Sequence, residues 1–282
     1  MSRLEEMLSL VKEIPPFPKV AQRVMEMIED PDVGAKELAK VIQYDQSITA
    51  NVLKICNSPY YGLGGKISSL DSGLIRIGNE ILKEIIITGS SQQFYQGTGE
   101  DGYQLADGEL WKHSVATAIM AKLLVRHVKG VESGAAFTGG LLHDIGKRIM
   151  SKFVKQEFNE IMGLVAENSC TFVEAEQEVL GITHAELGGR ILEQWEFPQD
   201  LTDAVRQHHD PDALHKEPLS AVVCLSNALV ISLGIGIGVS GLAVEIQGEG
   251  LKNVGLTNAD MDLLMADLIE EMSRAEDMIQ LE

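Results

Sequence analysis

The chain of 282 residues is poor in cysteine, in basic residues and in the alternating patterns that build sheets. Its cysteines, Cys56, Cys170 and Cys224, are scattered and form no C-x-x-C pair, which supports neither a disulfide framework nor a thiolate zinc site. We expect them to be small core residues of a protein in a reducing, cytoplasmic compartment. The opening residues carry mixed charges and no apolar run, so they do not look like a secretory signal.

Basic residues are scarce, since 23 Lys and Arg stand against 42 Asp and Glu and leave a formal net charge of -19. Such a surface repels a phosphate backbone, which argues against general binding of nucleic acid. A phosphorylated ligand would need a bound metal ion or a local basic group in order to approach. Apolar residues make up 45% of the chain, which is typical of a globular protein with a sizeable core.

Charge is also missing between Leu219 and Val244, a stretch long enough to span a membrane. The stretch nevertheless contains Asn227 and several serines, and its part GIGIGVSG interrupts a helix. We therefore predict a buried helix followed by a glycine-rich turn, and no membrane span.

Strand patterns are nearly absent, and apolar residues recur with helical spacing along the whole chain. We predict an all-α fold of two packed helical subdomains, with the glycine-rich, acidic segment 96–108 as the clearest internal break. Residues 1–100 form the first subdomain and residues 101–245 form a helical bundle with the candidate site. Residues 246–282 form a C-terminal helical extension.

Several helix boundaries are readable from turn and capping residues. The segments SSLDSGLIRIG and NEILKEIIITGSSQQFY are predicted as successive helices. His184 begins another helix, for which Thr183 is the expected cap, and Thr257 or Asn258 caps the acidic amphipathic helix near the end of the chain.

Histidines and one aspartate form an ordered pattern in the bundle: His113, then His143-Asp144, then His184, then His208-His209. Neutral imidazole and carboxylate suit iron, manganese and zinc ions, and a carboxylate beside a histidine can bridge two ions. The pattern predicts a centre for two or more divalent metal ions, with iron or manganese favoured over zinc. His127 and His215 are expected to be hydrogen-bonded or surface residues instead.

Neighbouring residues extend this pattern. Glu109 lies four residues before His113, so both are expected on the same face of one helix. In LLHDIGK the leucines and isoleucine are expected to bury the backbone while the HD pair faces a cavity. Lys147 returns toward the face of Asp144 and could bind a phosphate oxygen. Gly146 would allow another helix or a ligand to approach closely.

Two parts of the chain resemble a known family. LLHDIGK with its flanking histidines looks like the HD superfamily of metal-dependent phosphohydrolases. IPPFPKVAQRVMEMIEDPDVGAKELAKVIQYDQSITANVLKICNSPYY and THAELGGRILEQWEFP are similar to HDOD domains, the signalling-output branch of that superfamily, over roughly residues 10–245. The resemblance implies an all-α fold and a bacterial signalling role, in a branch where many members have lost metal ligands.

Related HD-GYP phosphodiesterases, which cleave cyclic di-GMP, imply roles for individual residues. By this resemblance the metal ligands are Glu109, His113, His143, Asp144, His184, His208 and His209. In catalysis Asp144 would bridge the ions, and Lys147 matches a lysine that contacts the substrate. Asn227 is a further ligand by position, but it stands where an aspartate would be expected. The sequence DPDALHKEP after the histidine pair contains no GYP loop, so the substrate side is altered while the metal side mostly survives.

Three functions fit these features. The first is a signalling module that acts through protein partners, with a structural, sensory or vestigial metal. The second is an active phosphohydrolase or phosphodiesterase with a nucleotide, cyclic dinucleotide or other phosphoester as its ligand. The third is a redox or oxygen sensor, because histidine and carboxylate ligands also hold pairs of iron ions.

Overall fold

The computed structural model describes residues 3–62, 64, 66–95, 101–168, 170–215, 217–236, 238 and 255–279. Within these ranges the secondary structure is helical without a strand, which confirms the predicted all-α class. The helices before residue 100 are α1 (Arg3–Glu13), α2 (Lys19–Ile28), α3 (Ala35–Ile42), α4 (Gln46–Cys56) and α5 (Leu70–Tyr95).

The later helices begin at Glu109 and include those that carry the candidate site. They are α6 (Glu109–Leu124), α7 (Ser133–Leu142), α8 (Lys147–Gln156), α9 (Phe158–Asn168), α10 (Phe172–Leu180), α11 (His184–Gln194), α12 (Gln199–Arg206), α13 (Pro218–Ser232), α14 (Asn258–Arg274) and α15 (Glu276–Ile279). Short 3-10 turns lie at Asp101–Tyr103 and Pro211–His215.

The chain divides into two compact units. The first unit comprises Met1–Pro15 and Phe94–Ile269, and the second comprises Pro16–Gln93 and Glu270–Glu282. This division differs from the predicted subdomains 1–100, 101–245 and 246–282 at both ends of the chain.

The N-terminal difference has a simple packing reason. Helix α1 packs against α8 and α11, so it belongs to the unit that contains the histidines. Met7 and Val11 supply its buried face. Arg3 forms an ion pair with Glu157, and Lys152 Nζ lies 3.1 Å from Glu6 Oε1.

Helix α5 is interrupted at Gly78, where φ is +70° and ψ is 172°. A left-handed φ is readily adopted only by glycine, so the chain can turn here between two helical stretches. This break lies between SSLDSGLIRIG and NEILKEIIITGSSQQFY, and it confirms that they form successive helices as predicted.

The core of the first unit is built around α6, which packs on α7 and α13. Its side chains are buried on nearly every side, including Trp111 and Met120, which are fully buried. A helix that is apolar all round belongs inside a protein. His113 therefore lies in the interior because α6 itself does.

The uncharged stretch begins as the predicted buried helix, α13, and then turns at Gly234, where φ is +75°. Residues 237 and 239–254 lie outside the described part of the chain, as do residues 96–100 of the predicted break. Among the described residues, no helix combines the length and the apolar character needed to cross a membrane.

Candidate metal centre

The first half of the site comes from α6 to α8. His113 lies within α6 and is buried, and His143 and Asp144 directly follow the end of α7. Lys147 is the first residue of α8. Ile145 is 1% exposed, so the apolar neighbours bury the backbone of this connection as predicted.

Gly146 lets the second half approach. A Cβ atom at this position would lie 1.9 Å from the carbonyl oxygen of His184 and 2.6 Å from the nitrogen of Gly188. Helix α11 therefore meets the connection at backbone contact, which confirms the expected close approach. Thr183 caps α11, because its hydroxyl oxygen accepts the backbone N–H of Glu186 at 3.1 Å.

The remaining candidate ligands come from α12 and α13. His208 and His209 directly follow the residues at the end of α12, and Asn227 lies on α13. His208 is buried and His209 is half-buried. By contrast, His127 and His215 are exposed, in agreement with their expected place outside the site.

Asp144 stands at the centre of the cluster, and its two oxygens face different histidines. Its Oδ2 atom lies 3.7 Å from the Nε2 atom of His113 and 3.3 Å from that of His143. Its Oδ1 atom lies 3.4 Å from Nε2 of His184 and 3.6 Å from Nε2 of His208. The carboxylate thus joins two groups of candidate ligands, His113-His143-Asp144 and Asp144-His184-His208-His209.

The opposite nitrogen of each ring is held by an acceptor. The Nδ1 atom of His113 donates to the carbonyl oxygen of Ile235 at 2.8 Å. In the same way, Nδ1 of His143 donates to Gly140 at 2.7 Å, and Nδ1 of His208 donates to Val205 at 2.6 Å. A carbonyl oxygen can only accept, so each Nδ1 carries the proton and each neutral ring turns its Nε2 lone pair toward Asp144.

This arrangement fits a cation. The Nε2 atoms of His143 and His208 and the Oδ1 atom of Asp144 are buried and have no hydrogen-bond partner. Buried acceptors without a donor are costly, and acceptors that face one another repel. A divalent ion would satisfy them, and the hydrogen bonds at Nδ1 are those that commonly orient histidine ligands.

Burial also keeps most of the histidines neutral, which is the form that binds metal. It lowers the pKa of His113 to about 4, against attraction from Asp144. Burial also leads the causes that lower the pKa values of His143, His208 and His209. A neutral ring keeps a lone pair available for a metal ion.

The pKa values of Asp144 and His184 are set by neighbouring polar and charged groups more than by burial. Burial raises the pKa of Asp144, but His143 and Lys147 outweigh it and hold this pKa well below its usual range. Burial lowers the pKa of His184, but Glu176 and Asp144 outweigh it and hold this pKa above its usual value. The centre therefore contains an ionised carboxylate.

Lys147 lies beside the bridging carboxylate. Its Nζ atom is 2.7 Å from Asp144 Oδ2 and 5.2 Å from the centre of the Tyr103 ring. The residue returns to the face of Asp144 as the sequence indicated. Its role in contacting a substrate remains a prediction.

Asn227 and Glu109 differ in their relation to the cluster. The Oδ1 atom of Asn227 lies 3.0 Å from Nε2 of His113, so the amide is in place to share a cation with this ring. The carboxylate of Glu109 instead pairs with Lys112, whose Nζ is 3.1 Å away, and it is absent from both ligand groups found among the described residues. Its role as a ligand remains a prediction.

Two residues that sequence reasoning missed support His184. The carboxylate of Glu176 is fully buried, and its Oε2 atom accepts from the Nδ1 of His184 at 2.7 Å and from its backbone nitrogen at 3.0 Å. Its Oε1 atom accepts the hydroxyl of Tyr103 at 2.7 Å. Glu176 could have been found from the sequence, because it is a charged residue four positions after Phe172 and therefore lies on the buried face of α10. Tyr103 lies in a glycine-rich segment with no such signal.

Gly236 and Gly238, which follow α13, lie close to the backbone on the His113 side of the centre. A Cβ atom at Gly236 would lie 2.5 Å from the carbonyl oxygen of Glu109 and 2.8 Å from Cβ of His113. A Cβ atom at Gly238 would lie 2.4 Å from the carbonyl oxygen of Tyr103. These two glycines thus lie in close contact with the start of α6 and with the turn before it.

Most of the described residues of the centre are buried. The exposed fraction is 5% for Lys147 and no more than 2% for His113, His143, Asp144, His184, His208 and Asn227. The half-buried His209 lies at its edge, with its Nε2 atom 3.1 Å from Nε2 of His184.

Solved structures share this fold. A crystal structure of an HDOD domain protein with unknown function from Geobacter sulfurreducens is similar with a TM-score of 0.77 and 28% identity, and the match covers 99% of this chain and 98% of that chain. A candidate signal transduction protein from Marinobacter aquaeolei VT8 has a TM-score of 0.74 and 20% identity, over 95% of this chain and 60% of that one. At the lower identity the likeness shows the fold alone.

Sequence comparison leads to the family. An uncharacterized protein of Treponema pallidum (strain Nichols) is 22% identical over 224 residues, which are 78% of this chain and 42% of that protein. The chain thus spans less than half the length of this curated relative. The HDOD domain model matches residues 14–211, a range that runs from the IPPFP segment to the end of the histidine pattern. The chain belongs to the HDOD domain family.

Proposed function

We propose that this chain is a bacterial signal-transduction HDOD module that holds divalent metal ions in a closed centre and acts through protein partners. The observation that carries the proposal is the burial of Asp144 together with the acceptor atoms that converge on it. Buried acceptors call for a cation, whereas a phosphoester would need an opening to reach it. A structural or sensory role for the metal accounts for both features.

The proposed ligands form two sides around Asp144. His113, His143 and Asn227 would hold one ion on the Oδ2 side, and His184, His208 and His209 would hold another on the Oδ1 side. Imidazole with carboxylate favours iron or manganese, with zinc as an alternative. Bound ions of this kind act as Lewis acids and lower the pKa of a coordinated water molecule.

The partner class is inferred from likeness and charge. The Marinobacter neighbour is described by a candidate role in signal transduction, which favours a signalling protein as the partner here. A formal net charge of -19 disfavours nucleic acid as an alternative partner. We infer a cytoplasmic location for the module, because its three cysteines are free thiols.

The test is elemental analysis of protein purified without chelator or histidine tag, alongside Asp144→Ala. We expect two or more equivalents of iron, manganese or zinc in the wild type and their loss in the variant, since both sides share Asp144. We also expect no turnover of cyclic dinucleotides, nucleotides or simple phosphoesters. Folded wild-type protein that is purified without bound metal and takes up none would contradict the proposal.

One observation favours an active phosphohydrolase as a second candidate. Asp144 is shared by two ligand groups, and the Lys147 ammonium lies 2.7 Å from its Oδ2 atom. Such a pair of ions beside a fixed positive charge can clamp and hydrolyse a phosphoester. Lys147 and Asp144 would then be catalytic. Turnover that depends on metal and disappears in both His143→Ala and Asp144→Ala would establish this candidate instead.

A further inference from the structure

We infer that the two sides of Asp144 bind metal with unequal affinity: Glu176, held by Tyr103, makes the His184 side tight, and Lys147 makes the His113 side weak. This inference rests on the metal centre proposed above. It assigns new roles toward the metal to residues of this chain that are not themselves its ligands.

The first step concerns Glu176, which is fully buried on α10. Its Oε2 atom accepts from the Nδ1 of His184 at 2.7 Å, so a negative charge lies directly behind this ring. A carboxylate in this position fixes the ring orientation and raises the electron-donating power of the other nitrogen. The corresponding Nδ1 atoms of His113 and His143 donate to neutral carbonyl oxygens.

The second step concerns Tyr103, which holds Glu176 in place. Its hydroxyl donates to Oε1 of Glu176 at 2.7 Å, and the backbone nitrogen of His184 donates to Oε2 at 3.0 Å. Both oxygens are therefore engaged, which fixes the carboxylate in the orientation that His184 needs. Tyr103 and Glu176 are thus positioning residues, since both act through His184.

The third step concerns Lys147, which lies on the other side of the bridge. Its ammonium is 2.7 Å from Oδ2 of Asp144, the oxygen that faces His113 and His143. A metal ion bound to this oxygen would meet a like charge a few ångströms away in a buried, weakly screened site. The third donor on this side is the neutral amide of Asn227.

The sides therefore differ in charge as well as in ligand type. The His184 side offers three imidazoles with a carboxylate behind one of them, whereas the His113 side offers two imidazoles, an amide and a nearby ammonium. We expect the centre to fill in two steps, with the His184 side first.

The experiment is a titration of chelator-stripped full-length protein with Mn(II), in which electron paramagnetic resonance measures free Mn(II) and detects coupling when both sides are filled. In the wild type we expect two resolved steps, with coupling only in the second. Glu176→Gln keeps the shape and most hydrogen bonds, so the protein should fold while the first step weakens by roughly 10–100-fold. Tyr103→Phe should weaken the same step to a smaller extent.

Lys147→Met removes the ammonium and should tighten the second step by on the order of tenfold or more. Matched controls are Glu174→Gln, an exposed change on the same helix as Glu176, and Lys152→Met, an exposed change on the same helix as Lys147. Neither control should move either step. If Lys147→Met fails to fold without metal, Glu176→Gln and Tyr103→Phe still decide the order of filling.

Different outcomes separate the inference from the proposed function. Wild-type protein that binds no Mn(II) overturns the metal centre and this inference together. Two steps of equal affinity, or a Glu176→Gln variant that weakens only the second step, overturn the inference while leaving the metal centre intact. With one equivalent of Co(II) bound, the absorption spectrum of Glu176→Gln should differ from that of the wild type. This difference would show that His184, the metal ligand that Glu176 holds, belongs to the first step.

Discussion

Each unit contains a buried glutamate that accepts a hydrogen bond from a tyrosine hydroxyl, but the two pairs differ in what lies beyond them. In the second unit Tyr61 donates to Glu84 Oε2 at 3.3 Å. In the first unit Tyr103 donates to Glu176 at 2.7 Å, and the same carboxylate then accepts from His184. A buried acid is therefore not by itself a sign of a site. Glu176 belongs to the site because it hydrogen-bonds to His184, whose Nε2 atom faces Asp144.

Polar side chains elsewhere in the units show the same contrast. In the second unit the amide of Asn57 donates to the carbonyl oxygen of Ile67 at 2.9 Å and accepts its N–H at 2.8 Å. Donors and acceptors match there, and the side chain fastens the backbone. Around Asp144, acceptors face acceptors, which is stable only with positive charge nearby. Mutations should therefore change metal binding in the first unit and folding stability alone in the second.

The largest expected effect comes from removing an aspartate in each unit. Asp144→Ala should abolish metal binding on both sides, because Oδ1 and Oδ2 face different histidines. Asp45→Ala removes the cap of α4, whose carboxylate accepts the backbone N–H of Ile48 at 2.9 Å. It should cost about 1 kcal/mol of stability and leave the metal content unchanged. Elemental analysis and urea unfolding measure both quantities, and metal loss in Asp45→Ala would erase the contrast between the units.

A smaller effect is expected from adding a methyl group at a tight glycine in each unit. Gly146→Ala places Cβ 1.9 Å from the carbonyl oxygen of His184, a backbone atom that cannot move alone. It should destabilise the protein by about 3 kcal/mol and weaken metal binding, since α11 must shift.

The matched change is Gly89→Ala on α5, where Cβ would lie 2.8 Å from the side-chain Cβ of Asn51. The Cβ atom of Asn51 moves only with its own backbone, but the contact is longer than that at Gly146 and alanine favours the helix by up to about 1 kcal/mol, so the net loss of stability should be smaller, about 1–2 kcal/mol. Denaturant unfolding of chelated protein measures both variants. Equal losses would mean that the contact of α11 with Gly146 has no special rigidity.

These contrasts also show which parts of the molecule are readable from sequence. Helical spacing, the cap at Thr183 and the break at Gly78 are local properties, and the structure confirms them. The same is true of the cap at Thr257, whose hydroxyl oxygen accepts the backbone N–H of Asp260 at 3.2 Å. The candidate histidine ligands were recognisable because their residue type and their order along the chain are unusual, although they lie far apart in the sequence.

Tertiary contacts were not readable in this way. The spacing puts Glu109 and His113 on one helix face, but it does not show that the Glu109 side chain pairs with Lys112. The role of Glu109 as a metal ligand stays a prediction. Tyr103 reaches Glu176 from 73 positions earlier in the chain, and no local pattern encodes such a contact.

The smallest expected effect is a difference between the thiols of Cys56 and Cys224. Burial raises the pKa of Cys56 in the second unit to about 11 and that of Cys224 in the first unit to about 12. Since only the thiolate reacts, both should react slowly with a disulfide reagent at pH 8.

Metal should then change the reactivity of Cys224 and leave that of Cys56 as it is. Cys224 lies on α13 three residues before Asn227, so a bound ion opposes the opening that would expose it. At a free metal concentration 100 times Kd, the labelling of Cys224 should slow by roughly 100-fold if labelling requires that opening. Labelling of Cys56 should stay unchanged, because its unit contains none of the proposed ligands. Mass spectrometry of each labelled peptide measures the rates, and equal slowing of both thiols would show that the units open together.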